Sequence, residues 1–207
     1  MNNPRSLEVD VQDSYERIAS EFALTRQYQW SWVSKFIKSL PKNSMICDVG
    51  CGAGQNMNVP EYRFIGIDNC HSFLRICRES NKNALYGDMC SIPLIDGYAD
   101  HVICIAAFHH LKTTEERLKA LLEMKRIKQA TGYILLSVWS IKQPEKTKRK
   151  FYSYGDTVVS FKKKSGELVD RYYHIFDPDF LVSMFLTCKL RLIRHFWDCG
   201  NEVYVLT

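Results

Sequence analysis

The residues best suited to chemistry form a glycine-rich segment near residue 50. The apolar run Met45–Val49 leads directly into Gly50, Gly52 and Gly54, which are separated by single residues. Glycines permit positive φ and let a ligand approach the backbone closely, so the segment predicts a strand that ends in a ligand-binding loop. The spacing differs from that of nicotinamide dinucleotide and triphosphate loops. A carboxylate at Asp48 suits an ammonium or sulfonium group, which points to S-adenosylmethionine as cofactor.

Three later segments add candidate cofactor contacts. Asp68 ends a second short apolar strand, and ligands of open α/β sheets bind outside the carboxyl ends of the strands. We therefore expect Asp68 to accept hydrogen bonds from both ribose hydroxyls of a nucleoside. Asp88 is predicted to accept from the adenine amino group, and Met89 to pack on the adenine ring. Ala106 lies where another buried strand runs into two histidines, and it completes the predicted cofactor site.

The pattern of apolar residues predicts strands that alternate with helices. Helices are expected over residues 13–22, 71–79 and 179–186. Two more are expected, one that ends at Leu40 and one that begins at Thr113. Strands are expected over residues 45–49, 64–67, 84–86, 101–107 and 133–139, and residues 190–206 are typical of a hairpin. Alternating strands and helices favour a parallel sheet. The predicted fold is α/β and Rossmann-like, a seven-stranded, mostly parallel sheet with a C-terminal antiparallel hairpin, as in class I methyltransferases. Its third strand is expected at the sheet edge.

Length and composition limit the remaining possibilities. With 207 residues, the chain is expected to form a single domain over 1–207, with N-terminal helices in 1–43 and a basic insertion in 140–178. No apolar run is long enough to span a membrane, and no signal peptide is evident. We expect a cytoplasmic protein, with the nucleus as a further location. The eight cysteines are scattered without a Cys-x-x-Cys pair, so we expect buried thiols and no metal site.

Positive charge is concentrated in one segment. Between Lys142 and Lys164 there are eight basic and two acidic residues, although the whole chain has a net charge of only +5. Aromatic residues lie among these cations, a combination that suits a phosphate backbone and unstacked bases. The segment therefore predicts a nucleic-acid contact, with a solvated lysine-rich loop as the alternative.

Several motifs make the chain resemble one family, the eukaryotic tRNA wobble-uridine carboxymethyl methyltransferases. The N-terminal signature covers Tyr15–Arg26, the cofactor loop covers Asp48–Gly52, and a further motif follows the fourth strand at Ile105–His110. The most family-specific match is Arg171–Phe176, which generic methyltransferases lack. Two departures are visible: Ala53 replaces an Asn of the family, and Ser160-Phe161 replaces its Pro-Trp pair.

The resemblance implies methyl transfer from S-adenosylmethionine to the carboxylate of 5-carboxymethyluridine at the wobble position of tRNA. It also implies a small zinc-binding activator protein, which would dock near Phe73, Leu74 and Leu85, whereas tRNA would be held by the segment Lys142–Lys164. A carboxylate is ionised at neutral pH and needs no general base. The site must orient and desolvate that carboxylate. The candidate residues for this role are Arg26, Arg171, His109 and His174, and Tyr172 and Tyr173 are candidates for stacking on the base.

Three other functions remain open on the sequence alone. A small-molecule methyltransferase would share the Gly87–Met89 element and Ile92-Pro93, but it would not require the basic segment. A protein glutamine methyltransferase would need Asn-Pro-Pro-Tyr after the fourth strand, where this chain has Ala107–His110. A non-catalytic RNA-binding subunit would be expected to have a damaged glycine loop. The intact loop favours an enzyme.

Overall fold

The computed structural model describes residues 8–26, 28–147 and 150–207. The helices are α1 (Val11–Leu24), α2 (Ser31–Ser39), α3 (His71–Glu79), α4 (Thr114–Ile127) and α5 (Pro178–Thr187). The strands are β1 (Met45–Val49), β2 (Arg63–Asp68), β3 (Ala84–Tyr86), β4 (His101–Ile105), β5 (Ile134–Trp139), β6 (Gly155–Lys162), β7 (Leu168–Ile175), β8 (Leu192–Asp198) and β9 (Asn201–Leu206). Lys148 and Arg149 of the basic segment lie outside the described residues.

Seven strands form the main sheet in the order β3-β2-β1-β4-β5-β9-β8. The first five are mutually parallel, and β9 runs antiparallel to both β5 and β8. Strands β4 and β5 are buried along their whole length, because helices cover both faces of a parallel sheet. The predicted fold, including the edge position of β3 and the terminal hairpin, is confirmed. In the described ranges, no helix is long and apolar enough to cross a membrane.

The order of the strands determines where a ligand can bind. The chain builds the sheet outward from β1 toward β2 and β3, and then returns to place β4 on the other side of β1. Open α/β sheets bind ligands at such a reversal, outside the carboxyl ends of the strands. Strand β4 ends at Ile105, two residues earlier than predicted, because Ala106 adopts a φ of 54° and turns the backbone away. A short 3-10 turn, Phe108–His110, follows.

Helix α1 crosses this edge of the sheet. It begins at a side-chain cap, in which the carboxylate of Asp10 accepts from the backbone N–H of Asp13. Its apolar face brings Tyr15 and Phe22 against Phe73 of α3, with ring centroids 5.8 and 6.1 Å away. The carboxylate of Glu16 accepts from two N–H groups at the start of α3. The N-terminal helix is therefore fixed to the helix that follows β2.

A second, two-stranded sheet was not predicted. Strands β6 and β7 form an antiparallel hairpin, and Gly166 in its turn has a φ of 92°. Strand β7 contains residues 171–175, which are all but the last residue of the family-specific motif Arg171–Phe176. Strand β6 contains the adjacent residues Val158 and Val159, so it lacks the strict alternation of apolar and polar residues that would otherwise predict a strand.

A buried polar cluster attaches this hairpin to helix α4. Asp156, whose side chain is 7% exposed, accepts from the hydroxyl of Tyr172 and from Nδ1 of His174, both at 2.6 Å. Arg117 of α4 lies 3.9 Å from the same carboxylate and donates to the hydroxyl of Tyr172. Although burial opposes ionisation, these hydrogen bonds keep the pKa of Asp156 below its ordinary value. Burial lowers the pKa of His174.

The cluster predicts a large difference between two carboxylates of the same hairpin. In Asp156→Ala, Arg117 would keep a buried charge without its partner, and we expect a loss of about 3 kcal/mol in the free energy of unfolding. The matched control is Asp170→Ala, which removes an exposed carboxylate that accepts only from Ser160 Oγ through its side chain. It should cost about 0.5 kcal/mol or less. Urea unfolding measures both, and equal losses would contradict the role given to Asp156.

Candidate functional site

A cavity of about 580 Å³ lies at the carboxyl ends of β1, β2 and β4. Helix α1 closes one side of it with Tyr15 and Phe22, Arg26 lies just after this helix, and the 3-10 turn contributes His110. The walls are partly apolar and partly polar, as in most small-molecule sites. Of the predicted site residues, those that line the cavity are Arg26, Gly50, Gly52, Asp68, Asp88, Met89 and Ala106.

The floor of the cavity is the loop after β1. Gly50 has a φ of 73°, and a Cβ atom on it would lie 2.3 Å from the Cβ of Ala107. Glycine is therefore required at this position both for its backbone conformation and for the close approach of the loop after β4. The N–H groups of Gly50 and Cys51 both donate to the carbonyl oxygen of Ile67, at 2.8 and 3.1 Å. The end of β2 thus holds the glycine loop in place.

Asp68 makes a second connection between these segments. Its Oδ2 accepts from the N–H of Gly52 at 2.7 Å, and its Oδ1 accepts from the N–H of Cys70 at 2.9 Å. Each carboxylate oxygen can accept a further hydrogen bond, so the side chain can hold the loop and still receive two hydroxyl groups from a ligand. Burial raises the pKa of Asp68 to about 6. The placement agrees with the predicted ribose contact, which stays a prediction.

Three further residues approach the cavity as the sequence led us to expect. Ala106 has positive φ, and its N–H is held by Ser137. Asp88 uses Oδ1 to accept from the N–H of Cys90 at 2.7 Å. The Met89 methyl group lies 3.7 Å from where a Cβ atom of Gly50 would be. All three residues line the cavity beside the glycine loop.

Two predicted cofactor residues lie behind the wall of the cavity. Asp48 is buried, and its Oδ2 accepts from the side-chain amide of Asn56 at 3.3 Å, an arrangement that holds the loop from below. Burial raises the pKa of Asp48 to about 7. A Cβ atom on Gly54 would lie 2.5 Å from Cδ of Lys82, so this glycine permits packing against that side chain. The predicted ligand approach at Gly54 therefore does not agree with its placement.

The other end of the cavity is aromatic and cationic. Tyr173 stacks on Trp139, with ring centroids 3.9 Å apart and planes 7° from parallel. The Tyr15 hydroxyl lies 2.9 Å from Nε2 of His110, and Nδ1 of that histidine donates to the carbonyl oxygen of Tyr172 at 2.7 Å. Burial lowers the pKa of His110 to about 4, so its ring is neutral at neutral pH. Burial also lowers the pKa of the Arg26 guanidinium.

Of the six residues predicted to orient the carboxylate or to stack on the base, four do not line this cavity. His109 is buried, and its Nδ1 accepts from the backbone N–H of Trp139. Tyr172 and His174 belong to the buried Asp156 cluster, so the accessible ring face that base stacking requires is missing at Tyr172. Arg171 is 5% exposed and lies behind the cavity wall, where its guanidinium donates to the hydroxyl of Tyr173 at 2.7 Å.

Two residues of the same motifs do line the cavity. His110 does so one position after the predicted His109, and Tyr173 does so whereas the other stacking candidate, Tyr172, does not. The alternation of side chains along β7 could have separated the two tyrosines, but only if the segment had been predicted as a strand. Tyr15 had a signal of its own, because it begins the N-terminal signature. Trp30 continues that signature at Tyr28-Gln29-Trp30, whereas Trp139 was predicted only as the last residue of a strand.

The glycine loop allows a matched pair of substitutions. Gly50→Ala would combine an unfavourable φ with the contact to Ala107, and we expect a loss of about 3 kcal/mol in the free energy of unfolding. Gly52 also has positive φ, at 53°, but nothing lies within 4 Å of the point that its Cβ atom would occupy. Gly52→Ala should cost about 1 kcal/mol. Urea unfolding of both variants measures the two losses. Equal losses in the free energy of unfolding would contradict the close approach at Gly50.

The known proteins that are similar to this chain are methyltransferases. Residues 47–136 match a family described as "Methyltransferase domain". A mouse relative named "tRNA (carboxymethyluridine(34)-5-O)-methyltransferase ALKBH8" is 35% identical over 72% of this chain but only 22% of its own length. The chain thus spans less than a quarter of that relative. A fission yeast relative, Schizosaccharomyces pombe "tRNA (carboxymethyluridine(34)-5-O)-methyltransferase", is 30% identical over 92% of both chains.

Solved structures support the fold. A SAM-dependent methyltransferase from Methanosarcina mazei has a TM-score of 0.69 at 15% identity, covering 86% of this chain and 97% of that one. A putative methyltransferase in complex with the Haloferax volcanii Trm112 methyltransferase activator has a TM-score of 0.67 at 14% identity, covering 96% and 97%. Sequence identity over nearly the whole of the fission yeast protein establishes the family. The chain belongs to the tRNA (carboxymethyluridine(34)-5-O)-methyltransferases.

Proposed function

We propose that this protein methylates the carboxylate of 5-carboxymethyluridine at the wobble position of tRNA, with S-adenosylmethionine as methyl donor. The observation that carries the proposal is one cavity that contains both the Asp68 carboxylate above the glycine loop and the Arg26 guanidinium. The first group suits a nucleoside cofactor and the second suits an anionic acceptor. The names of the mouse and fission yeast relatives identify the same acceptor.

The residues present fit the cofactor. Gly50 and Gly52 leave the loop free of side chains, and Asp68 retains acceptor capacity for two ribose hydroxyls. Asp88 and Met89 lie where an adenine would be contacted. When bound, S-adenosylmethionine supplies a methyl group on a sulfonium, and a carboxylate oxygen of the acceptor takes this methyl while the electron pair of the carbon–sulfur bond stays on sulfur.

The acceptor requires desolvation and orientation rather than proton removal. Arg26 lines the cavity, and the positive charge of Arg171 acts on it from nearby. Two guanidinium groups at one end of a cavity make a positive region that attracts a carboxylate. The apolar rings of Trp139 and Tyr173 restrict the access of water at the same end. Alignment of the two reactants then provides most of the acceleration.

The tRNA contact is proposed on the basic segment Lys142–Lys164. Its described lysines include five exposed ones, Lys142, Lys146, Lys150, Lys162 and Lys164. Tyr152 is 93% exposed, which leaves its ring available for stacking on a nucleotide. Lys163 is already paired with Glu167 at 2.8 Å and contributes less. These cations continue into β6, whose partner strand carries Tyr173 to the cavity.

We also propose a small zinc-binding activator protein at the edge strand β3. Leu85 and Tyr86 are 39% and 52% exposed, and they border a surface depression with Leu74, Arg75 and Arg78. An edge strand with exposed apolar side chains can add a strand of a partner. Phe73 cannot belong to this surface, because it is 4% exposed and packs on Tyr15 and Phe22.

The function is tested by nucleoside mass spectrometry. tRNA that carries 5-carboxymethyluridine is incubated with S-adenosylmethionine and the protein, with and without an activator of the zinc-binding type. We expect a gain of one methyl group that mild alkaline hydrolysis removes, as an ester requires. Arg26→Gln should lower the rate at least about tenfold, while Arg191→Gln, which removes an exposed arginine outside the cavity, should not. A methyl group that resists alkali would contradict ester formation.

Cofactor binding should depend on pH through Asp68. The ribose hydroxyls donate to the ionised carboxylate, whose pKa is raised to about 6 by burial in the free protein. As pH falls through this value, binding must compete with protonation. The Kd of S-adenosylhomocysteine should then rise by about tenfold per pH unit below 6, and it should be constant above the pKa.

The matched variant for this experiment is Asp68→Asn, which cannot ionise. Calorimetric titration between about pH 5 and 8 should give weaker binding by about tenfold or more, without the pH dependence of the wild-type protein. A slope that persists in Asp68→Asn would assign the titration to a different group.

A further inference from the structure

We infer that the hydroxyl group of Tyr173 is the hydrogen-bond donor to the carboxylate of the methyl acceptor, and that Arg171 acts through Tyr173 as a positioning residue. The inference rests on the proposed function, because it identifies how the cavity holds that acceptor. It comes from the directions of a chain of hydrogen bonds that connects Arg171, Tyr173, Tyr15 and His110.

The direction of the chain is fixed at His110. A backbone carbonyl can only accept, so Nδ1 of His110, at 2.7 Å from the carbonyl oxygen of Tyr172, must carry the hydrogen. The neutral ring then has no hydrogen on Nε2. The Tyr15 hydroxyl, 2.9 Å from Nε2, is therefore the donor in that pair. The proton of Tyr15 is therefore committed to His110.

The Tyr173 hydroxyl has the opposite arrangement. It accepts from Nη1 of Arg171 at 2.7 Å, and its own hydrogen has only the oxygen of Tyr15, at 3.4 Å, as a nearby acceptor in the described chain. A contact of 3.4 Å is long for an O–H···O hydrogen bond. A carboxylate that enters the cavity is a stronger acceptor and would take this hydrogen at a shorter distance. Tyr173 thus presents a donor that the protein alone does not fully use.

The surroundings of Arg171 show how its positive charge is stabilised next to the hydroxyl of Tyr173. Its guanidinium lies between the rings of Tyr15, Phe22, Phe161 and Tyr173, with the carbon atom 5.3 to 6.0 Å from their centroids. No carboxylate lies within 4 Å of it among the described residues. Cation–π contacts stabilise the charge without neutralising it.

This arrangement suits an anionic nucleophile. A guanidinium in direct bidentate contact would occupy both carboxylate oxygens and would weaken the one that attacks. A phenol that is polarised by Arg171 binds one oxygen and leaves the other free to form the new bond to carbon. The stacking of Tyr173 on Trp139, 7° from parallel, fixes the direction in which the hydroxyl points.

The test compares two tyrosines of the same chain. Tyr173→Phe keeps the stacked ring and removes the donor, and we expect kcat/KM for tRNA with 5-carboxymethyluridine to fall by about 10- to 100-fold. Tyr15→Phe removes a hydroxyl that donates to His110, and its loss should be at least about fivefold smaller. Arg171→Gln should resemble Tyr173→Phe, and Arg171→Lys, which keeps the charge, should recover part of the rate.

Two further readouts exclude a merely structural effect. The Kd of S-adenosylhomocysteine should stay within about twofold of wild type in all four variants, since none of the substituted residues holds the cofactor in this account. Wild-type protein should prefer tRNA that carries the carboxymethyl group over tRNA with the neutral carbamoylmethyl group, measured by competition. Tyr173→Phe and Arg171→Gln should reduce this preference, and Tyr15→Phe should retain it.

The outcomes separate this inference from the proposed function. If the wild-type protein transfers no methyl group to 5-carboxymethyluridine, the proposed function is wrong and the inference is wrong with it. If the wild-type protein is active but Tyr173→Phe and Tyr15→Phe lose the same activity, or the preference for the charged group is unchanged in Tyr173→Phe, the inference alone is overturned.

Discussion

The hydrogen bonds of Asp68 are the interaction on which the rest of the site depends. A single carboxylate at the end of β2 accepts from the glycine loop at Gly52 and from the start of α3 at Cys70. These two backbone donors fix the position of the Asp68 carboxylate before any ligand binds. The conformational entropy of this side chain is therefore lost on folding and not on ligand binding. Burial of a carboxylate is unfavourable by itself, which is why the raised pKa of Asp68 accompanies this arrangement.

The end of the cavity that would hold the methyl acceptor depends on a different set of contacts. The β6–β7 hairpin is held by the buried Asp156 cluster, and this attachment carries Arg171 and Tyr173 to the cavity wall. Helix α1 contacts both ends, because Glu16 caps α3 while the Ser14 hydroxyl donates to the carbonyl oxygen of Asp170 in β7. The N-terminal helix thereby connects the cofactor side of the site with the acceptor side.

The sequence predicted the main sheet well, because its strands are short apolar runs that end at glycines or acids, and β1, α3 and β3 have the predicted bounds. Of the eight residues predicted to contact the cofactor, six line the cavity, and Asp48 and Gly54 lie behind its wall. The prediction failed at the acceptor end for a geometric reason. Side chains of a strand alternate, so Tyr173 of β7 lines the cavity while its neighbours Tyr172 and His174 join the Asp156 cluster, and this separation requires the strand to be predicted first. Strand β6 has Val158 and Val159 side by side and gave no alternation from which the pairing could be derived.

The most direct test of the whole account is a crystal structure of the protein with S-adenosylhomocysteine and the nucleoside 5-carboxymethyluridine. The account predicts both ribose hydroxyls of the cofactor product on Asp68, and one carboxylate oxygen of the nucleoside within hydrogen-bond distance of the Tyr173 hydroxyl, near Arg26. A cofactor ribose held elsewhere, or a carboxylate directed away from Tyr173 and Arg26, would contradict it.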